Sequence, residues 1–243
     1  MWKHNVFIFG MVVLSLIFCV CGQSPTDYDE NGITSFPLHT ADRWEYSQID
    51  YQIPFGGQDS EVTVTTRFIR RVIGVDTSIN TIGLIIVDDS LIYTFPGHDD
   101  YTSIERHWWR VMDHDVYEIA SGYGTEGDRF RPVFWEQPRL LLDFPLSSGK
   151  NWILGQSEFG TLSMKVIDFQ SFALGEQSFY CALVKTSLEY YPHIGFTDWY
   201  SNSGLIYSHA EYGLSYMQDE LGNIIDSVYV YRDITLDNIN LTD

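Results

Sequence analysis

With 33 acidic against 14 basic residues, the 243-residue chain carries a formal net charge of −19 at neutral pH. That balance argues against nucleic acid as a partner, since phosphate binding draws on clustered lysine and arginine, and against docking on anionic lipid through a basic patch. Hydrophobic residues at 44% and aromatic residues at 16% are enough for a substantial core and exclude a disordered chain; the length suits one large all-β domain or two small ones.

In chain order, Met1–Gly22 reads as an export signal. Lys3 gives a basic start, and Val6–Val20 is an uncharged apolar run, shorter than the roughly 20 residues of a membrane-spanning helix. The run closes on Cys19 and Cys21. A cysteine there, followed by small polar residues, is similar to the lipidation signal of bacterial lipoproteins, and Cys21, with Gly22 after it, is the expected lipidation site. Cys19 as the modified residue, simple cleavage near Gly22 with release, or retention of the uncleaved segment as an anchor are the alternatives. The expected location is the bacterial cell envelope, through an N-terminal lipid anchor in the membrane, or the secreted fraction. Residues 23–35 form a polar tether. Asp27, Asp29, Asn31 and Gly32 match the opening of an EF-hand loop, but its twelfth position is Leu38 rather than Glu, so a solvated spacer is expected.

The tether leads into Phe36-Pro37-Leu38, five residues, then Trp44, and the same pattern returns at Phe144-Pro145-Leu146 and Trp152. Two copies at one spacing predict two related halves, 36–143 and 144–243, joined at the Leu140–Trp152 seam and forming one continuous domain.

The first half reads as strands. Arg43–Ile53 alternates, Glu61–Ile73 is rich in Val and Thr, and Thr81–Val87 is a β-branched run closed by Asp88-Asp89-Ser90. Leu91–Phe95 is expected to be a further short strand. Ile104–Met112 and Val116–Ala120 flank Asp113-His114-Asp115, which has the composition of a hairpin turn. That triplet and His98-Asp99-Asp100 are the two places where His and Asp cluster, and both are read as turns rather than metal or acid–base sites. Phe130–Trp135, broken by Pro132, is expected at a sheet edge, because proline cannot join a central ladder.

In the second half, strands are expected over Trp152–Phe159, Thr161–Phe172, Gln177–Tyr190, Leu205–Gln218 and Ile224–Ile234, with turns at Leu174-Gly175-Glu176 and Pro192–Gly195 and a fraying tail over Thr235–Asp243. Cys181, the one cysteine after the leader, sits in an apolar run and is expected to be a buried small hydrophobe. With one cysteine, the body has no disulfide framework and no cysteine-based zinc site. No segment shows a sustained helical period. The predicted fold is all-β, an antiparallel curved sheet, open barrel or sandwich built from two approximate repeats with little helix.

Four tryptophans, Trp108, Trp109, Trp135 and Trp199, are candidate ligand-binding residues on an aromatic β surface. Trp108 and Trp109 are adjacent, so alternation sends them to opposite faces; the outward one either lines a groove or lies under a loop, and the covered arrangement is preferred.

The order Phe-Pro-Leu…Gly-Lys-Asn-Trp (144–152), Leu-Gly-Glu-Gln-Ser-Phe-Tyr-Cys-Ala-Leu-Val (174–184) and Asp-Trp-Tyr-Ser-Asn-Ser-Gly-Leu-Ile-Tyr-Ser (198–208) resembles uncharacterised bacterial envelope proteins of the DUF3108/TapB-like group. The chain departs from their pattern by one glycine in Ser-Gly-Leu-Ile, and Thr40–Arg43 lacks the glycine present in Ser148–Asn151. The resemblance implies a secreted or lipid-anchored β protein and brings no catalytic residues.

The expected function is therefore a non-enzymatic envelope protein holding an apolar or glycan ligand, with no cofactor and no metal. One alternative is an envelope hydrolase using paired carboxylates; no Gly-x-Ser-x-Gly occurs. The other is a structural or assembly component that pairs with another envelope protein.

Overall fold

The computed structural model describes residues 33–55, 61–78, 83–94, 100–157, 160–218 and 224–242. The segment expected to be an export signal, with Cys19 and Cys21, the Asp27–Gly32 stretch and the His98-Asp99 pair lie outside the described residues.

Among the described residues the chain forms β-strands and no helix: β1 (Arg43–Pro54), β2 (Glu61–Asp76), β3 (Leu84–Tyr93), β4 (Tyr101–Met112), β5 (Asp115–Gly124), β6 (Val133–Leu142), β7 (Asn151–Ser157), β8 (Gly160–Leu174), β9 (Gln177–Leu188), β10 (Tyr191–Ser201), β11 (Gly204–Gln218) and β12 (Ile224–Asn240). They make one antiparallel sheet in the order β6-β5-β4-β3-β2-β1-β12-β11-β10-β9-β8-β7. Two six-strand meanders thus meet where β1 pairs with β12. The edges, β6 and β7, lie against one another without a hydrogen-bonded ladder, which leaves a curved, nearly closed barrel with a seam.

The two meanders open in the same way. Trp44 and Trp152 are each the second residue of their opening strand and both are buried. The turns before them match bond for bond. Ala41 N–H donates to Val72 O at 2.9 Å, as Gly149 N–H does to Val166 O at 3.0 Å. Asp42 N–H donates to His39 O at 3.0 Å, as Lys150 N–H does to Ser147 O at 3.1 Å. Gly149 has φ +78°, a left-handed conformation natural to glycine, and Ala41 adopts φ +79° without being one. A Cβ on Gly149 would meet nothing within 4 Å, so the backbone alone decides the cost there. Left-handed backbone costs an L-residue roughly 1–2 kcal/mol. Ala41→Gly is therefore expected to raise, and Gly149→Ala to lower, unfolding free energy by about 1 kcal/mol each; denaturant melts of the two variants check it, and shifts of the same sign would refute the equivalence.

Four sequence expectations are corrected. Asp88-Asp89-Ser90 does not end a strand: β3 runs through it to Tyr93, because each carboxylate is neutralised across the ladder. Arg106 forks onto Asp88 (2.6 and 2.7 Å) and Arg70 onto Asp89 (2.8 and 2.6 Å). The C-terminal tail does not fray: β12 continues to Asn240, paired with Arg43. Fully buried Asp42 fastens it, accepting from Thr242 N–H (2.7 Å) and Thr242 Oγ1 (2.9 Å), while its other oxygen accepts from His39 N–H (2.7 Å). The edge strand β6 begins after Pro132 and contains Pro138 within an irregular stretch between its pairings at Phe134 and Arg139. The Pro192–Gly195 segment falls inside β10 rather than forming a turn. Asp113 and His114 do form the β4–β5 hairpin turn, both with positive φ (52° and 80°).

The main core is drawn from strands of both meanders. Trp44 and Tyr46 are fully buried; Trp44 Nε1–H donates to Ser203 O (2.7 Å) and the Tyr46 hydroxyl to Leu205 O (3.1 Å), tying β1 to the start of β11. A smaller cluster of Leu84, Trp108 and Ala120 sits separately, with Phe130 packed on it.

Candidate functional site

Four neighbouring strands each place one ionisable side chain in the interior. Arg70 (β2) and Asp89 (β3) are direct cross-strand partners joined by the two-bond fork. His107 (β4) lies between two carboxylates, with Nδ1–H donating to Glu118 Oε1 at 2.6 Å and Nε2 at 3.4 Å from Asp89 Oδ2. Glu118 (β5) also accepts from Trp135 Nε1–H at 2.9 Å. The guanidinium of Arg70 lies 5.4 Å from the Trp109 ring and 5.7 Å from that of Phe68.

The burial and the pairing act against one another on these groups. Burial alone would drive Asp89 toward its neutral form, but the charge and hydrogen bonds of Arg70, with His107, outweigh it and hold the carboxyl well below the usual range. Burial would likewise strip the proton from His107; hydrogen bonds and charge from Asp89 and Glu118 prevail and raise its pKa to about 9. At neutral pH the ring is an imidazolium with both nitrogens donating. The paired carboxylates the fold brings together, Asp89 and Glu118, are thus bridged by a cation instead of facing across an open cleft.

The opposite wall comes from the second meander. Asp198, on β10, is lifted to about 6 by burial, which hydrogen bonds from Ser208 and Tyr200 and the charge of Arg70 only partly offset. Tyr200 is raised well above its ordinary value, burial again leading and the Asp198 charge adding to it.

Between the walls lies a cavity of about 290 Å³, near the lower end of the range for small-molecule sites. Its polar lining is Arg70, His107, Glu118, Thr186, Asp198 and Tyr200; the rest is apolar, including Trp109, Leu162 and Met164. Leu141 and Leu142 of β6 and Leu154 of β7 also line it, so the cavity abuts the seam.

The structure disperses the four candidate tryptophans rather than joining them on one surface. Trp109 lines the cavity and is buried, and its indole N–H has no acceptor among the described residues. Trp108 points to the other face, buried beneath Phe130 and donating to Asp76 Oδ2 at 3.2 Å. Trp135 sits at the rim, bonded to Glu118, with the Arg139 guanidinium stacked 3.4 Å from its ring centroid. Trp199, next to Asp198 and so on the opposite face of β10, packs against Phe172 and Tyr207 (ring centroids 6.0 and 4.9 Å). Trp109 and Trp135 are the two that share a neighbourhood, linked through His107 and Glu118. Cys181 is buried, and burial pushes its thiol up to about 12, which favours the neutral thiol over the thiolate.

The ionisable residues of the interior were not singled out from the sequence. The available signal was a charged residue in phase with an apolar stripe: Arg70 between Phe68 and Val72, and Glu118 two residues after Val116. No group of three or more His, Cys, Asp or Glu among the described residues is placed to hold a metal ion. No protein-family model matches the chain, nor does any curated protein or solved structure.

Proposed function

We propose that this chain is a non-enzymatic, exported envelope protein that holds a small apolar ligand inside its barrel, kept at the membrane by a lipid on Cys21. The observation that carries the ligand reading is the cavity of about 290 Å³ at the β6–β7 seam, lined mostly by apolar side chains, leucines and Trp109 among them, with a few polar groups on each of its two walls. The apolar lining favours a hydrocarbon-like ligand over a glycan, whose many hydroxyls would each need a partner on burial. The seam supplies an entrance, because parting two strands that share no ladder breaks no backbone hydrogen bonds between them.

The test uses N-phenyl-1-naphthylamine, an apolar fluorophore that brightens on leaving water. Saturable binding at one site is expected, and Leu154→Trp, which fills the seam side of the cavity, should weaken it by about tenfold or more, roughly the loss of 1.4 kcal/mol. Trp199→Ala, on the opposite face of β10, should leave it within about twofold. Absence of saturable binding, or loss in Trp199→Ala with retention in Leu154→Trp, overturns the reading. A circular dichroism melt of each variant separates loss of the site from loss of the fold.

A further inference from the structure

The cavity has a neighbour of opposite character. Beyond the Trp135–Glu118 hydrogen bond lies a hollow of about 430 Å³ whose lining includes Tyr123, Arg129, Arg131 and Trp135. Glu118 lines the inner cavity and Trp135 lines this outer hollow, so one hydrogen-bonded pair separates them. The loop that brings the arginines here is built to hold its shape. Asp128 Oδ2 accepts from Thr125 N–H at 2.6 Å and from Thr125 Oγ1 at 2.9 Å. Asp128 N–H in turn donates to Thr125 O at 3.1 Å, and Gly127 takes φ +88° in the turn between them. Phe130 then anchors the loop, packed on the Leu84–Trp108–Ala120 cluster with the Arg106 guanidinium 4.2 Å from its ring. Its two sequence neighbours, Arg129 and Arg131, are left on the hollow.

On a chain of net charge −19, basic side chains are expected to be spoken for by carboxylates. Arg43, Arg67, Arg70, Arg106 and Arg232 each have such a partner within 2.6 Å, whereas Arg71 and Arg110 stand apart from one another without one among the described residues. Arg129 and Arg131 have neither an ion pair nor a side-chain hydrogen bond among the described residues. Two uncommitted guanidiniums share one hollow with Tyr123 and Trp135, whose polar atoms are already engaged by Glu105 and Glu118, so the arginines are the groups free for forked hydrogen bonding of a carboxylate or phosphate.

From this juxtaposition we infer that the ligand is an anionic amphiphile, whose apolar body fills the inner cavity and whose acidic head lies in the outer hollow between Arg129 and Arg131. The inference rests on the reading of the cavity as a ligand site and adds the chemistry of the head. The Trp135–Glu118 pair, braced by Arg139 stacked on the indole, is the partition the ligand passes beside. Repulsion from the protein's overall negative charge is screened beyond about 8 Å at physiological ionic strength, so the nearby arginines dominate.

The experiment compares decanoate with 1-decanol, equal in chain length and different in head, by displacement of N-phenyl-1-naphthylamine from the full-length mature protein at pH 7.5 and 0.15 M salt. Decanoate is expected to bind at least about tenfold more tightly than decanol, and the Arg129→Gln/Arg131→Gln double variant to bring the ratio to within about twofold of one. Raising salt to 1 M should shrink the ratio in the wild type only. A decylphosphate arm distinguishes the two acidic heads: tighter binding than decanoate assigns a phosphate, the reverse a carboxylate, and both keep the inference. Equal affinity for decanoate and decanol, or a preference that survives in the double variant, overturns the head assignment while leaving the cavity reading intact. Failure of the fluorophore itself to bind overturns the cavity reading and this inference with it.

Discussion

Replacing Arg70 by Met is expected to lower the unfolding free energy by about 3–5 kcal/mol, the usual result of removing one member of a buried ion pair. The guanidinium is the two-bond partner of Asp89, and both side chains are largely withdrawn from water, at 16% and 13% exposure. Without Arg70, Asp89 keeps only the longer contact to His107 at 3.4 Å, and its burial goes uncompensated. The methionine also forfeits the positive charge over the Trp109 and Phe68 rings. The double variant Arg70→Met/Asp89→Leu should recover at least half of the loss, since an apolar pair of similar volume removes both desolvation costs together. Urea melts of the three variants measure it. A single-variant loss below about 1 kcal/mol would show the pair to be solvated and the interior open to water.

The second large effect is a pH dependence. His107 is raised from 6.5 to about 9 in the folded protein. A group that binds its proton more tightly when folded contributes stability that is fully present below its unfolded pKa and is lost as pH rises through its folded one. The window is therefore about pH 6.5 to 9, and the full contribution is about 3 kcal/mol at 1.36 kcal/mol per unit. Asp198 acts in a separate, lower window. Its folded value of about 6 exceeds the ordinary 3.8, so the stability it lends is present below 3.8 and gone above about 6. Stability should thus fall twice as pH rises, and the upper step should vanish in His107→Gln. An upper step that persists in that variant would move its origin away from the Asp89–His107–Glu118 bridge.

What was legible in the sequence followed from local rules. Alternation in Arg43–Ile53 and in the Ile224–Ile234 run marks β1 and β12. The recurrence of Phe-Pro-Leu and Trp marked where each meander opens, and the opening turns share one backbone form even though Ala41 stands where the second copy has Gly149. Two of the misreadings have a common origin in partners distant along the chain. Asp88-Asp89 looks like a turn because a local reading assigns paired carboxylates to solvent, and Thr235–Asp243 looks like a loose end because it carries polar side chains that do face solvent, while its backbone is laddered as far as Asn240. Each is held instead by a residue distant in the chain: Asp88 and Asp89 by Arg106 and Arg70, and the C-terminal strand by β1 and by Asp42. The tryptophans were conspicuous by type, but type does not say which face is enclosed. Trp108 and Trp109 are adjacent and both buried, yet only Trp109 borders the cavity.

The sequence by itself determined the class of structure: strands by alternation, one edge by proline, a repeated opening motif, and an excess of acidic residues from composition. Those are properties of neighbours along the chain, and the pleat's two-residue period expresses them directly. The tertiary structure alone decided that β12 returns to β1, that β6 and β7 are left as a seam, and that Arg70, Asp89, His107 and Glu118 converge on one cavity with Asp198 across it. Curvature is the physical reason: side chains that a flat sheet would set far apart are turned toward a common axis only when the sheet bends nearly back on itself.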